Sequence, residues 1–134
     1  MDTDDIRQLY RRYIDLLNAR DWAHLGALVD AEVVYNGERI GLSGYRAMLE
    51  ADVRAIPDLR FHVERLACEP PTIASRLSFD CTPAGELFGY PVFGRRIRFA
   101  ENVFYEVAAG KIRRVWSVID KAAIADQLDG RPED

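Results

Sequence analysis

Two acidic side chains in the C-terminal third stand where a carboxylate could do proton chemistry. In KIRRVWSVID, two-residue alternation puts Ile112, Arg114, Trp116, Val118 and Asp120 on one strand face and Arg113, Val115, Ser117 and Ile119 on the other. Trp116 and Val118 mark the first face as the inward one, so Asp120 is expected to end that line inside a mostly apolar pocket. Burial would raise its pKa, and a carboxylate tuned this way can move a proton to or from carbon or oxygen. Asp120 also precedes KAAIADQL, and Asp is a common helix cap, so capping is the competing assignment.

Glu101 is the second acid. Phe99, Glu101, Val103 and Tyr105 share one face of their strand, with Arg98, Ala100, Asn102 and Phe104 on the other. A turn at Ala109-Gly110 folds this strand onto the last one and is expected to set Glu101 near Trp116, with Asp120 farther along or diagonal. The structural alternative is an ion pair of Glu101 with Arg98, Arg76 or Arg114. Most aromatic residues should fill the core, but Tyr13, Tyr35, Phe99, Tyr105 and Trp116 could line a slot for a flat ligand. His24 and His62 have no partners at metal-ligand spacing, and Cys68 and Cys81 form no CxxC or Cys/His pattern. Neither GxGxxG, P-loop nor HExxH is present, so neither a metal nor a cofactor is expected.

The elements that must position these groups fall into two periods. Ile6, Leu9, Tyr10, Tyr13, Leu16 and Leu17 predict an amphipathic first helix, capped by Asp2 with Asp5 or by Thr3. Trp22 to Val29 fits a short second helix with Asp21 as cap, Ala31 to Tyr35 a brief strand, and Asn36-Gly37 a turn. Ser43 is expected to cap a third helix that stops before Pro57. From Leu59 the period becomes two: strands over 59–69, 72–81, 95–107 and 111–120, an interrupted loop at GELFGYPVFG, and a terminal helix at KAAIADQL. Residues 129–134 are expected to fray. Helices first and strands after is an α+β order, with one sheet face covered by helices.

The 134 residues suit a single domain spanning 1–134. A net charge of −4 gives no pull toward nucleic acid or an anionic membrane. The acidic, quickly amphipathic start and the lack of any long apolar run point to the cytoplasm and away from a membrane span, with both thiols free.

The chain resembles the SnoaL-like polyketide cyclases of the NTF2-like superfamily. The resemblance runs through YRRYIDLLNARDWAHLGALVDAEVVYNG, LSGYRAMLEADVRAIPDLRFHVERLACE and GELFGYPVFGRRIRFAENVFYEVAAGKIRRVWSVID to the terminal DQL, roughly residues 5–128. It implies a cone in which N-terminal helices pack on a curved, mostly antiparallel sheet around a deep pocket, in a homodimer or higher oligomer. It also implies cofactor-independent ring closure of a polyketide by intramolecular aldol condensation, with the aspartate of WSVID, Asp120, as acid/base. The chain departs from the family pattern at Pro83 and at Tyr35-Asn36, where histidines are frequent, and at Arg114, where a glutamate is common.

The leading expectation is therefore a cyclase-like enzyme on a hydrophobic carbonyl compound, with Asp120 as base and Tyr35, Asn36 or Tyr105 as oxyanion or orienting donors. An isomerase or epoxide-opening enzyme using a Glu101–Asp120 pair is one alternative. A non-catalytic protein binding a small hydrophobic ligand is the other.

Overall fold

Six apolar residues at three- and four-residue steps drive helix α1 (Thr3–Ala19) in the computed structural model, which describes residues 1–129. Ile6, Leu9, Tyr10, Tyr13, Ile14 and Leu17 are all buried. Each contributes about 1.5–3 kcal/mol of transfer free energy, against the entropy of ordering it. Asp2 and Asp5 form a reciprocal capping box, each carboxylate accepting from the other's N–H at 2.9 and 3.0 Å. Trp22–Ala27 is a 3₁₀ helix. Asp21 does not cap it with a backbone bond; its carboxylate holds His24 Nδ1 at 2.8 Å.

Strand β1 (Val29–Tyr35) leads to α2 (Gly41–Ala55), which begins two residues before the expected Ser43 cap. Gly41 has φ +66° and its Cβ position lies 3.3 Å from the Ala31 carbonyl oxygen, so a side chain there would be both strained and crowded. Then follow β2 (His62–Glu69), β3 (Thr72–Cys81), the hairpin β4 (Glu86–Leu87) and β5 (Tyr90–Pro91), β6 (Ile97–Ala108), β7 (Lys111–Ile119) and α3 (Lys121–Leu128). Phe88 and Gly89 turn the hairpin with φ of 52° and 83°, the left-handed pair that suits a two-residue hairpin loop.

The main sheet runs β1-β7-β6-β3-β2. Its pairings are antiparallel except β1 with β7, which is parallel. The helices cover its concave face. The brief strand expected at 31–35 is β1, which starts two residues earlier and joins the four long strands as an edge strand. Cys68 and Cys81 are free thiols. Among the described residues no helix is long and apolar enough to cross a membrane. Of the tail expected to fray, Asp129 N–H closes α3 on the Ala125 carbonyl at 3.1 Å, and residues 130–134 lie outside the described residues.

One irregularity reverses the reading of the last strand. Across β6 and β7, Val107 pairs with Ile112 but Glu106 pairs with Arg114, so Arg113 is an extra, unpaired residue. A bulge of this kind flips every later side chain to the other face. Ile112 is buried as expected, but after the bulge Val115, Ser117 and Ile119 point inward. Trp116 and Val118 point out, exposed by 42% and 70%. Phe104 faces outward beside Trp116, its cross-strand partner, while Val115, expected on the outer face, is buried.

Where β7 stops opposite Glu101, the edge of β6 is completed by a side chain. Gln127 of α3 accepts from Arg98 N–H at 2.7 Å and donates to the Arg98 and Ala123 carbonyls. Deleting Arg113 should remove the bulge, force Trp116 and Val118 against the helices and abolish cooperative thermal unfolding. R113A, which keeps the residue count, should melt within a few degrees of the parent; circular dichroism melts of the two variants check this.

Candidate functional site

Between α1, α2 and the sheet lies a cavity of about 220 Å³. One end carries hydroxyls. Tyr13 and Tyr45 share a short hydrogen bond, and Tyr10 donates to Tyr105 Oη at 3.3 Å. The rings of Tyr10, Tyr13 and Tyr105 contact one another at centroid distances of 5.0–5.9 Å. The other end is phenyl-lined: Phe79 sits 5.6 Å from Phe61 and 5.0 Å from Phe99, and Phe88 of the hairpin packs edge-on to Phe99 at 6.3 Å. Phe88 is exposed while the tyrosines are not, so the phenyl end is the one nearer solvent.

Glu101 enters the cavity from β6 and Asp52 from α2. The Ser117 hydroxyl donates to Glu101, across the β6–β7 pair and inward because of the bulge. Among the described residues no Lys, Arg or His lines the cavity. Burial raises the Glu101 pKa, and the Ser117 bond only partly offsets it. Asp52 is pushed up to about 6, first by burial and then by the charge of Glu101. Burial likewise raises the phenols of Tyr13, Tyr45 and Tyr105, which therefore act as neutral donors at physiological pH. A buried carboxyl without a cation keeps its proton longer, and such groups are candidates for proton transfer. Among the described residues no cluster of three or more His, Cys, Asp or Glu side chains could hold a metal ion.

Of the residues singled out from sequence, Tyr13, Tyr35, Phe99, Glu101 and Tyr105 line this cavity together. Trp116 does not; the bulge turns it to the outer face. Asn36 does not either. It is exposed, and its carboxamide brackets the Ser117 backbone, accepting from Ser117 N–H at 2.8 Å and donating to its carbonyl at 3.3 Å. β1 ends at Tyr35, and Asn36 supplies the two hydrogen bonds that a continuing strand would have made. Asp120 is exposed, caps α3 by accepting from Ala123 N–H at 3.2 Å, and lines a second, more open pocket of about 620 Å³ with His62, Phe79, Arg98 and Phe99. It does not face Glu101 across the cavity, because the bulge and the end of β7 at Ile119 turn it away.

Neither do the arginines pair with Glu101. Arg98 and Arg96 hold Asp80 at 3.3 and 2.6 Å, Arg76 holds Glu64 at 3.2 Å, and Arg114 is exposed on the outer face. Asp52 was missed by sequence reasoning. Its signal is helical spacing: Tyr45, Met48, Leu49 and Asp52 stand at i, i+3, i+4 and i+7, which sets a charged residue on an apolar face.

The profile of the SnoaL-like polyketide cyclase family matches residues 7–128. A SnoaL-like polyketide cyclase from Agrobacterium tumefaciens is similar at 49% identity over 96% of this chain and 99% of that one, with a TM-score of 0.91. TsrD from Streptomyces laurentii shares the fold at 23% identity, over 98% of this chain and 99% of that one, with a TM-score of 0.84. No match emerges among curated proteins.

The raised carboxyls make a stability prediction. With a folded-state value of about 6 against an ordinary 3.8, Asp52 destabilises the fold increasingly as pH rises from about 4 to 6, and the cost persists above that. D52N should therefore raise the melting temperature at pH 7.5 by roughly 5 °C, on the order of 2 kcal/mol, and the gain should shrink at pH 4.5. E101Q should act in the same sense. Calorimetry at the two pH values checks both variants.

Proposed function

The chain belongs to the SnoaL-like polyketide cyclase family, and from that membership we propose that it is a cofactor-independent enzyme acting on an uncharged hydrophobic carbonyl compound. The chemistry is proton abstraction beside a carbonyl followed by intramolecular aldol closure. The observation that carries the reading is a carboxyl, Glu101, facing an apolar cavity with Ser117 as its hydrogen-bond partner and no cation in the lining among the described residues.

In the proposed reaction the Glu101 carboxylate takes a proton from the carbon next to a carbonyl. The enolate carbon then attacks a second carbonyl of the same molecule, one C–C bond forms, and the resulting alkoxide takes up a proton. Nothing is oxidised or lost, so neither cofactor nor co-reactant is called for. The donors available to the developing oxyanion are the hydroxyls of Tyr35 and Tyr105 and whichever of Tyr13 and Tyr45 accepts within their pair. The lack of a cation in the lining disfavours a carboxylate-bearing substrate, which would meet two acids without compensation. The size argues for one or two rings: a cavity of 150 Å³ holds a benzene, whereas ligand pockets commonly span about 300–1,000 Å³.

2-Tetralone, a neutral bicyclic ketone with acidic α-protons, tests this without the natural substrate. The protein should speed exchange of those protons in D₂O, read by NMR. E101Q should lose that acceleration on the order of 100-fold, while D120N, whose amide also caps a helix, should keep it. Exchange undiminished in a folded E101Q would refute the base assignment, and no acceleration by the parent would favour a non-catalytic binding protein.

The homodimer implied by the family resemblance is proposed to use the outer sheet face, where Phe104, Trp116 and Val118 stand together on neighbouring strands. A two-fold copy would cover this patch with itself. Sedimentation at micromolar concentration should give a dimer for the parent and a monomer for V118K; a monomeric parent would contradict the assignment.

A further inference from the structure

Glu101 cannot both take a proton from carbon and, at the same moment, give one to the oxygen where charge develops. Among the described residues the cavity holds one other carboxyl, and it belongs to the opposite layer of the fold. Asp52 lines the cavity from helix α2, whereas Glu101 lines it from strand β6, so an occupant lies between a helical wall with one acid and a sheet wall with the other.

The polar groups that line the cavity with Asp52 are few: Glu101 and Tyr105 from β6, Tyr35 from β1, Tyr13 from α1 and Tyr45 from α2 itself; among the described residues no Lys, Arg or His lines the space. The Asp52 carboxyl has no hydrogen-bonded side-chain partner among those found for the described residues, unlike Glu101, which has Ser117. Two carboxyls without a cation resist ionising together, so the stable arrangement at mildly acidic to neutral pH keeps a proton on one of them.

We propose that Asp52 is the second proton-transfer residue of this cavity, the acid that delivers a proton to the substrate oxygen while Glu101 works on the carbon. The inference rests on the enolisation chemistry proposed above. In the step, the C–H bond breaks to Glu101 and an O–H bond forms from Asp52. Glu101 ends protonated and Asp52 ionised. In aldol closure the oxygen served is the one whose carbonyl carbon is attacked, and its C=O π electrons become the new O–H. Passage of one proton from Glu101 back to Asp52 through solvent, once product leaves, restores the starting pair. The coupled pair gives a window in which base and acid forms coexist, and the side that fails first as pH rises is the acid. Asp52, raised to about 6, fits that role.

The exchange assay with 2-tetralone tests this through its pH profile. The parent's rate should fall as pH rises through about 6, and D52N should be slower by roughly 10-fold at pH 5.5 and lack that descending limb. A D52N variant with the parent's rate and the parent's limb overturns the proposal, since a merely structural Asp52 would move neither. A second measurement decides even if the parent accelerates no exchange. Calorimetric titration compares 2-naphthol, a planar enol of the same shape, with naphthalene. D52N should weaken 2-naphthol on the order of 10-fold and leave naphthalene unchanged. Equal loss for both ligands, or none for either, rejects contact between Asp52 and the ligand oxygen. If exchange fails but the 2-naphthol result holds, the catalytic reading of the cavity falls while the place of Asp52 in it stands.

Discussion

The hydroxyl of Ser117 reaches Glu101 because β7 carries one residue more than its partner strand. Without Arg113 as an unpaired insertion, strict alternation would turn Ser117 to solvent and put Trp116 into the cavity. The bulge is therefore the constraint on which the site's electrostatics rest. Asn36 holds the result in place. Sitting just past the end of β1 with φ 47°, it spends both ends of its carboxamide on the Ser117 backbone, so the residue that supports Glu101 is fixed from both sides. A turn residue on the surface thus positions a hydroxyl inside the protein.

Around that fixed point the cavity is graded from phenyl to phenol. The Phe61, Phe79, Phe99 and Phe88 rings make the end nearer solvent apolar, which favours entry of an uncharged ring over water. At the far end the tyrosine pairs satisfy one another's hydroxyls, so a polar surface survives deep burial without charge. Burial that would be costly for an ionised carboxylate is tolerable for a protonated one. Glu101 and Asp52 consequently hold protons at a pH where exposed carboxyls do not. The same low polarity that makes these acids expensive to ionise gives them the range in which they can exchange protons with carbon and oxygen.

Much of this was legible in the sequence, for physical reasons. β3 and the second half of β6 alternate strictly because one face packs on the core, so the shared face of Phe99, Glu101, Val103 and Tyr105 could be read directly. α1 declared itself through its apolar stripe and its Asp2–Asp5 cap. The facing of β7 was not legible, because both registers of RRVWSVI carry large apolar residues: Val115 and Ile119 on one, Trp116 and Val118 on the other. Only pairing with β6 chooses between them, and that is a tertiary fact. Asp120 looked inward for the same reason, and its plainer role as a helix cap is the one the geometry bears out. Asp52 was hidden differently, as one acid in a helix whose apolar face explained the helix without it.

The central claim is that Glu101 holds its proton beyond the range of an ordinary glutamate because it is enclosed in the cavity. Carbon-13 NMR of the glutamate side-chain carboxyls, followed from pH 4 to pH 9, measures this directly. The account predicts one carboxyl signal that titrates distinctly above the others and is missing from the spectrum of E101Q. If every glutamate titrates together in the ordinary range, Glu101 is solvated, and the cavity has no proton-transfer group of the kind described.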